Sequence, residues 1–144
     1  MGNRIELDLP IYTFHIDFAG HVSNIVYIQW MEIGRLKLLK AANMPVEQLT
    51  QRDIVPVLVS TEIEYKVPLI LGDHVRLEVW LSELKRASAR LEFRFYNEAD
   101  ILCASGSQKG LFVHRGSMRP YRLSDEMRAA FEPYLIVDIR QMEY

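Results

Sequence analysis

Apolar residues between Asn24 and Ala42 cover much more than one face of a helix. Their spacing, with charged and amide residues at intervals, predicts a helix of roughly five turns at about 3.6 residues per turn. Ser23 or Asn24 can cap its start, and Asn43 with Pro45 marks its end. A surface helix needs only a narrow apolar stripe, so we expect a central helix wrapped by the rest of the chain.

The sequence after a short helical turn at 46–51 has the character of β-strands. Four runs are rich in strand-forming residues, at 55–66, 73–84, 88–97 and 101–114. Turn-forming residues separate them, and such short links imply antiparallel neighbours. An earlier stretch at 5–16 contains Pro10, which is typical of an irregular or edge strand because proline cannot donate to a central ladder.

A short helix beginning at Ser124 and ending near Pro133 completes the predicted elements. One long apolar helix followed by antiparallel strands is an α+β arrangement, in which a sheet of about five strands curls around the helix. Such a sheet leaves its edges unprotected, and pairing of subunits into a continuous sheet protects them. We expect at least a homodimer and favour a homotetramer. With no repeat or linker, the sequence predicts a single domain over 1–144.

Composition excludes several classes of function. The formal net charge of -2 provides no excess positive potential for nucleic acid. Cys103 is the one cysteine and cannot form an internal disulfide. No secretory signal or bilayer-spanning apolar run is apparent, so we expect a cytoplasmic protein without membrane insertion. Neither histidine spacing nor a phosphate-binding glycine loop points to a ligand, and we predict no metal or organic cofactor.

Residues 17–24 contain the strongest candidate chemistry. The Asp17 carboxylate directly precedes the central helix, whose free N–H groups can polarise a carbonyl or hold an oxyanion. Gly20 would let a ligand approach the backbone, and His21 and Asn24 offer polar groups at the rim. The alternative is that Asp17 merely caps a turn that Gly20 permits, and composition alone favours this alternative.

The same segment resembles the signature of the 4-hydroxybenzoyl-CoA thioesterase family, D-x-x-G-H-V-x-N-x-x-Y-x-x-x-x-E-x-x-R. Every lettered position is met between Asp17 and Arg35. Residues 63–73 are similar to the family's strand-turn element, which carries a Tyr-x-x-Pro and a Gly-Asp. The region from Val55 onward also resembles cyanobacterial dihydroxynaphthoyl-CoA and plant acyl-ACP thioesterases. The resemblance implies a hot-dog fold that hydrolyses an acyl-CoA or acyl-ACP thioester to the free acid and the thiol.

The resemblance also implies roles for individual residues. Asp17 would attack the thioester carbonyl as a nucleophile or activate water as a general base, while an N–H near Asn24 receives the carbonyl oxygen. Thiolate leaves readily, so a strong general acid is unnecessary. Glu32 is an alternative carboxylate, because another branch of hot-dog thioesterases uses a helical glutamate. Helix geometry favours an ion pair between Glu32 and Arg35 instead.

Substrate binding is assigned to residues near this segment and to basic residues. The side chain of His21 would line the site, as would several neighbours: Phe18, Gly20, Val22, Tyr27 and Trp30. Aromatic residues on a central helix are more often core. Lys66 and Arg86 are the candidates for carrier phosphates. Arg90 and Lys109 have the right charge, but strand alternation gives Arg90 a solvated position.

Two other functions remain open at this stage. A hot-dog hydratase or dehydratase acting on an enoyl thioester pairs an acid with a histidine five residues later, whereas Asp17 and His21 are four apart. A non-catalytic acyl-thioester-binding protein would need an added output module, for which the chain has no room. Hydration of crotonyl-CoA would favour the first function, and binding without thiol release would favour the second.

Overall fold

The computed structural model describes residues 2–137, so Met1 and residues 138–144 of the predicted domain lie outside it. Five strands form one antiparallel sheet in the order β1-β3-β4-β5-β2. These strands are β1 (Ile5–Leu9), β2 (Ile54–Tyr65), β3 (Val75–Leu84), β4 (Ser88–Tyr96) and β5 (Leu102–His114). The helices are α1 (Asn24–Ala41), α2 (Val46–Gln51) and α3 (Asp125–Phe131). The predicted α+β fold, a curled sheet with a long helix against it, is confirmed.

Helix α1 packs one face closely against the sheet. A β-carbon built on Gly34 would lie 2.8 Å from Val79 Cγ2 and 3.2 Å from Leu77 Cδ2. The absence of a side chain at Gly34 therefore sets how near the helix comes to β3. The residues of this inner face are all buried: Val26, Tyr27, Trp30, Met31, Gly34, Leu38 and Leu39.

The opposite face of α1 differs from the prediction. We expected most of the helix circumference to be wrapped, yet Ile25 is 67% exposed and Ile28 49% exposed. Ile33 and Leu36 continue this exposed stripe further along the helix. The sheet of one chain covers only one side of α1, because α1 packs chiefly against β1 and β3 and little against β2.

Most strand boundaries agree with the predicted runs to within one or two residues. The stretch predicted at 5–16 is strand only at Ile5–Leu9, because Pro10 interrupts it and a 3-10 turn follows at Thr13–His15. Strand β2 is an edge strand, bonded only to β5. Its Pro56 lies opposite Phe112, where an edge strand tolerates the missing N–H.

Three helix ends follow the predicted signals. Ser23 is the N-cap residue of α1, although its side chain makes no capping hydrogen bond. Asn43, just beyond the helix end, takes the left-handed conformation with φ of 59°. The Ser124 hydroxyl accepts a hydrogen bond from the Met127 N–H at 3.2 Å, so the predicted cap of α3 is confirmed. Within residues 2–137, no helix has the length and apolarity needed to cross a bilayer.

Candidate active site

Asp17 lies in a tight turn that ends just before α1. Its Oδ1 accepts a hydrogen bond from the Ala19 N–H at 2.9 Å, and its carbonyl accepts one from the Gly20 N–H at 3.0 Å. The Asp17 N–H donates to the His21 carbonyl at 2.9 Å, which closes the turn. Within the described residues no donor reaches Oδ2. One carboxylate oxygen therefore maintains the turn and the other is uncommitted.

Two further hydrogen bonds attach this turn to its surroundings. The Val22 N–H donates to the Leu69 carbonyl at 2.8 Å, and the Ser23 N–H donates to the His15 carbonyl at 2.9 Å. Leu69 is fully buried in the loop that follows β2. The catalytic candidate is thus attached to the strand-turn element that sequence similarity had singled out separately.

The start of α1 presents uncommitted backbone donors. The Val26 N–H bonds to the Ser23 carbonyl at 3.0 Å, whereas among residues 2–137 the N–H groups of Asn24 and Ile25 have no acceptor. The Ser23 side chain does not cap them. Free N–H groups at a helix start carry a partial positive charge and can stabilise an oxyanion.

Asp17 and the helix start open into one cavity of about 210 Å³. The cavity brings together six of the predicted site residues: Asp17, His21, Val22, Asn24, Tyr27 and Lys66. Its remaining walls come from the end of β2 and the loop after it, namely Tyr65, Val67 and Pro68. Sequence reasoning did not assign these three residues to the site, although the Tyr-x-x-Pro signal contained two of them.

Two tyrosines form the aromatic floor and one wall of this cavity. The Tyr27 ring is 3% exposed and meets the Tyr65 ring edge-on, with 5.1 Å between centroids. Burial is the main reason that the pKa of Tyr27 is raised to about 12, and the nearby Cys103 and Tyr65 raise it further. Burial likewise raises the pKa of Tyr65. Both phenols therefore stay neutral at physiological pH and can act as hydrogen-bond donors.

Three predicted site residues lie elsewhere in a single chain. The Phe18 side chain is fully exposed beside the turn and does not line the cavity. Gly20 has φ of +80°, and nothing lies within 4 Å of where its β-carbon would be, so its conformation explains the glycine in this structure. Arg86 lines a second, basic cavity of about 510 Å³ with Lys85, Arg122 and Arg128.

Glu32 is engaged in an ion pair, as helix geometry favoured. Both of its carboxylate oxygens accept hydrogen bonds from Arg35 Nη2 at 2.6 Å. Glu32 is not among the residues lining the cavity of Asp17. Within residues 2–137, no group of three or more histidine, cysteine or acidic side chains is arranged to hold a metal ion.

A five-stranded antiparallel sheet curled against one long helix is the hot-dog fold. The chain belongs to the thioesterase-like superfamily, whose family model matches residues 13–131. Membership confirms the resemblance read from the signature and makes the chain a thioester hydrolase.

Individual relatives agree with this assignment. The acyl-CoA thioesterase YbgC of Haemophilus influenzae is 26% identical over 132 residues, which cover 91% of this chain and 96% of that protein. The structure of BH1999 gentisyl-coenzyme A thioesterase is 26% identical, with a TM-score of 0.76 and coverage of 88% and 98% of the two chains. A DHNA-CoA thioesterase from Staphylococcus aureus shares the fold, with a TM-score of 0.84 at 15% identity and coverage of 97% and 93%.

Proposed function

We propose that this chain hydrolyses acyl-CoA thioesters, with the Asp17 carboxylate and the Asn24 N–H acting on the same carbonyl. One observation carries the proposal: an uncommitted carboxylate oxygen and uncommitted helix N–H groups open into one cavity. The two kinds of group suit the two ends of a polarised carbonyl. The carboxylate can attack the carbonyl carbon or remove a proton from water, and the N–H groups can stabilise the negative charge that develops on the carbonyl oxygen.

Two routes are consistent with this arrangement. In the first, Asp17 attacks the carbonyl carbon, the carbon–sulfur bond breaks to release thiolate, and water then hydrolyses the resulting mixed anhydride. In the second, Asp17 takes a proton from water as that water adds to the carbonyl, and thiolate leaves from the tetrahedral intermediate. The Ala19 N–H bond to Oδ1 serves both routes because it orients the carboxylate while Oδ2 reacts.

The carrier's phosphates require cations, and the structure offers two sources. Lys66 stands at the cavity of Asp17, with its Nζ 3.6 Å from Glu64 Oε1. Arg86 lines the basic cavity and lies in the turn between β3 and β4, which is beside the C-terminal end of β5. Tyr65, at the Asp17 cavity, pairs with the N-terminal end of β5. The two cavities therefore lie at opposite ends of the sheet. In one chain these two predicted phosphate ligands are separated.

A homodimer formed along the free edge of β2 would reunite them. An antiparallel pair of β2 strands related by a two-fold axis places the Ile54 end of one copy beside the Tyr65 end of the other. In such a dimer, the basic cavity of one subunit would lie at the same end of the continuous sheet as the Asp17 cavity of the other subunit. Leu58 and Val59 on β2, together with Ile25 and Ile28 on α1, are exposed apolar residues that this pairing would cover.

The decisive experiment measures thiol release from short, medium, long and aromatic acyl-CoAs, and from acyl-ACP. We expect Asp17→Asn to reduce kcat/KM at least about a hundredfold while acyl-CoA binding persists, because the amide neither attacks nor accepts a proton at neutral pH. Asp8→Asn, at an exposed position of β1, is the matched control and should retain full activity.

Other outcomes would reject the proposal. Hydration of crotonyl-CoA with only background thiol release would indicate a hydratase, and binding without turnover of any thioester would indicate a sensor. Full activity of Asp17→Asn would exclude Asp17 from the chemistry. In single-turnover hydrolysis in heavy-oxygen water, label incorporated into the Asp17 side chain would identify the anhydride route, because general-base addition of water labels only the released acid.

A further inference from the structure

The hydroxyl group of Tyr27 reaches the cavity of Asp17. Tyr27 lines this cavity, although the residue is only 3% exposed. Three aromatic rings meet the Tyr27 ring edge-on at centroid distances of 5.1 to 5.6 Å, those of Trp30, Tyr65 and Phe95. Because these contacts occupy the ring, the part of Tyr27 that is left to face the cavity is its hydroxyl end.

This hydroxyl is a donor without an acceptor. Among residues 2–137 no carbonyl or side chain accepts its proton, whereas the Tyr134 hydroxyl donates to the Ala41 carbonyl at 3.2 Å. Burial is the main reason that the pKa of Tyr27 is raised, and hydrogen bonding with the Leu69 backbone lowers it. A bond that lowers the pKa of a phenol is one that its oxygen accepts, so the proton remains available. A buried tyrosine hydroxyl usually has a partner, which a ligand in the cavity can provide.

Helix geometry directs the Tyr27 hydroxyl towards the start of α1. Tyr27 follows Asn24 by three residues, so the two lie on one face of the helix, and both line the cavity. Side chains of an α-helix tilt towards its N-terminus. The hydroxyl therefore extends towards the N–H groups of Asn24 and Ile25, which have no acceptor in the described part of the chain. Three hydrogen-bond donors thus belong to the same end of α1.

Asp17 faces the cavity from a different side. After burial, Cys103 and Tyr65, the carboxylate that acts on the pKa of Tyr27 is Asp73 and not Asp17. Because a carboxylate in contact with the hydroxyl would shift its pKa, the cavity separates Asp17 from Tyr27. A thioester bound between them can meet Asp17 at its carbonyl carbon and Tyr27 at its carbonyl oxygen.

We propose that the Tyr27 hydroxyl donates a hydrogen bond to the carbonyl oxygen of the thioester, as a third donor beside the N–H groups of Asn24 and Ile25. This inference rests on the proposed hydrolysis at Asp17 and deepens it. The oxygen gains negative charge as its carbon is attacked, so the hydroxyl stabilises the transition state more than the bound thioester. Tyr27 keeps its proton throughout, because its pKa of about 12 makes it a weak acid.

The kinetic test uses Tyr27→Phe, which removes the hydroxyl and keeps the ring. We expect kcat for acyl-CoA hydrolysis to fall about a hundredfold while KM changes little, as for the loss of one oxyanion donor. A thioether analogue, in which a methylene replaces the carbonyl, should bind this variant and the wild type equally and so report folding. Tyr96→Phe is the matched control and should keep the wild-type kcat, because the Tyr96 ring lies under the Arg76 guanidinium and does not line the cavity.

A spectroscopic test observes the hydrogen bond itself. Asp17→Asn should bind acyl-CoA without hydrolysing it, so the carbonyl stretch of a bound, isotope-labelled thioester can be recorded by infrared difference spectroscopy. A hydrogen bond to the carbonyl oxygen lowers this frequency. Adding Tyr27→Phe to Asp17→Asn should therefore raise the frequency, and adding Tyr96→Phe should leave it unchanged.

Four results would overturn the inference. The first is a kcat of Tyr27→Phe within about threefold of the wild type, and the second is a loss confined to KM, which indicates uniform binding. The third is a reduced kcat with an unchanged carbonyl frequency, which assigns the hydroxyl to another atom such as the leaving sulfur. The fourth is failure of Tyr27→Phe to fold, which assigns the hydroxyl to the core. In each case loss of hydrolysis in Asp17→Asn would leave the proposed function standing.

Discussion

Gly20 offers a sharp test of how the Asp17 turn works. Its φ of +80° is a conformation that L side chains rarely adopt, and its β-carbon position is open. An alanine there costs about 1–2 kcal/mol in conformational energy and meets no steric clash. If the turn relaxed to avoid this cost, it would lose its internal hydrogen bonds from Gly20 to Asp17 and from Asp17 to His21.

The two effects are of similar size. Two exposed backbone hydrogen bonds contribute about 0.5–1.5 kcal/mol each, so the strained turn and its relaxed alternative should be comparably populated in Gly20→Ala. We expect a decrease of only a few-fold in kcat and of about 3–5 °C in Tm. Gly20→Asn should perform better than Gly20→Ala, because asparagine tolerates the left-handed region more readily than alanine does.

Thiol-release kinetics and thermal unfolding measure both effects. Gly72, with φ of +100° and equally open space, is the matched control, and Gly72→Ala should lower Tm similarly while kcat stays near the wild-type value. Losses above about a hundredfold in both Gly20→Ala and Gly20→Asn, with folding intact, would refute this reasoning. Such losses would mean that the ligand itself occupies the space beside Gly20.

Two further predictions concern the core. Gly34→Val should destabilise the fold by about 1–3 kcal/mol in urea unfolding, because even the new β-carbon would lie 2.8 Å from Val79 Cγ2. Gly110→Ala should be nearly neutral, because the nearest atom to its new β-carbon is 3.6 Å away. Equal effects of the two substitutions would contradict the packing argument. Burial raises the pKa of Tyr27 from 10.0 to about 12, so the neutral phenol contributes its full stability below pH 10 and this contribution is lost as the pH rises towards 12. Tyr27→Phe should therefore reduce the loss of unfolding free energy at alkaline pH. If the variant keeps the wild-type dependence of stability on pH, other groups cause that loss.

The sequence predicted the strands and helices because their signals are local. Pro10, Asn43 and Ser124 each act on the few residues around them, and the structure places a strand end, a helix end and a helix cap at these positions. The wrapping of α1 was overestimated because apolar content does not reveal what covers a residue. Ile25 and Ile28 are apolar and yet exposed in a single chain.

The candidate site was predicted only in part for a similar reason. Residues close in sequence, such as Asp17 and Asn24, line one cavity in the structure, whereas the wall formed by Tyr65 depends on how β2 ends beside α1. Arg86 and Lys66 were grouped by charge, and the sheet separates them within one chain. Charge is visible in a sequence, but the end of the sheet on which a residue lies depends on strand register.

The two readings of Asp17, as a turn-capping residue and as a catalytic carboxylate, are compatible in this structure. Capping uses Oδ1 alone, through the Ala19 N–H, and a carboxylate has a second oxygen with its own lone pairs. The capping bond lowers the freedom of the side chain and so reduces the entropy lost when Oδ2 meets a substrate. Asparagine at this position could keep the capping bond through its amide oxygen but would present an amide nitrogen to the cavity. Asp17→Asn therefore removes the oxygen that we propose to react while preserving the turn, which is why it separates the two roles.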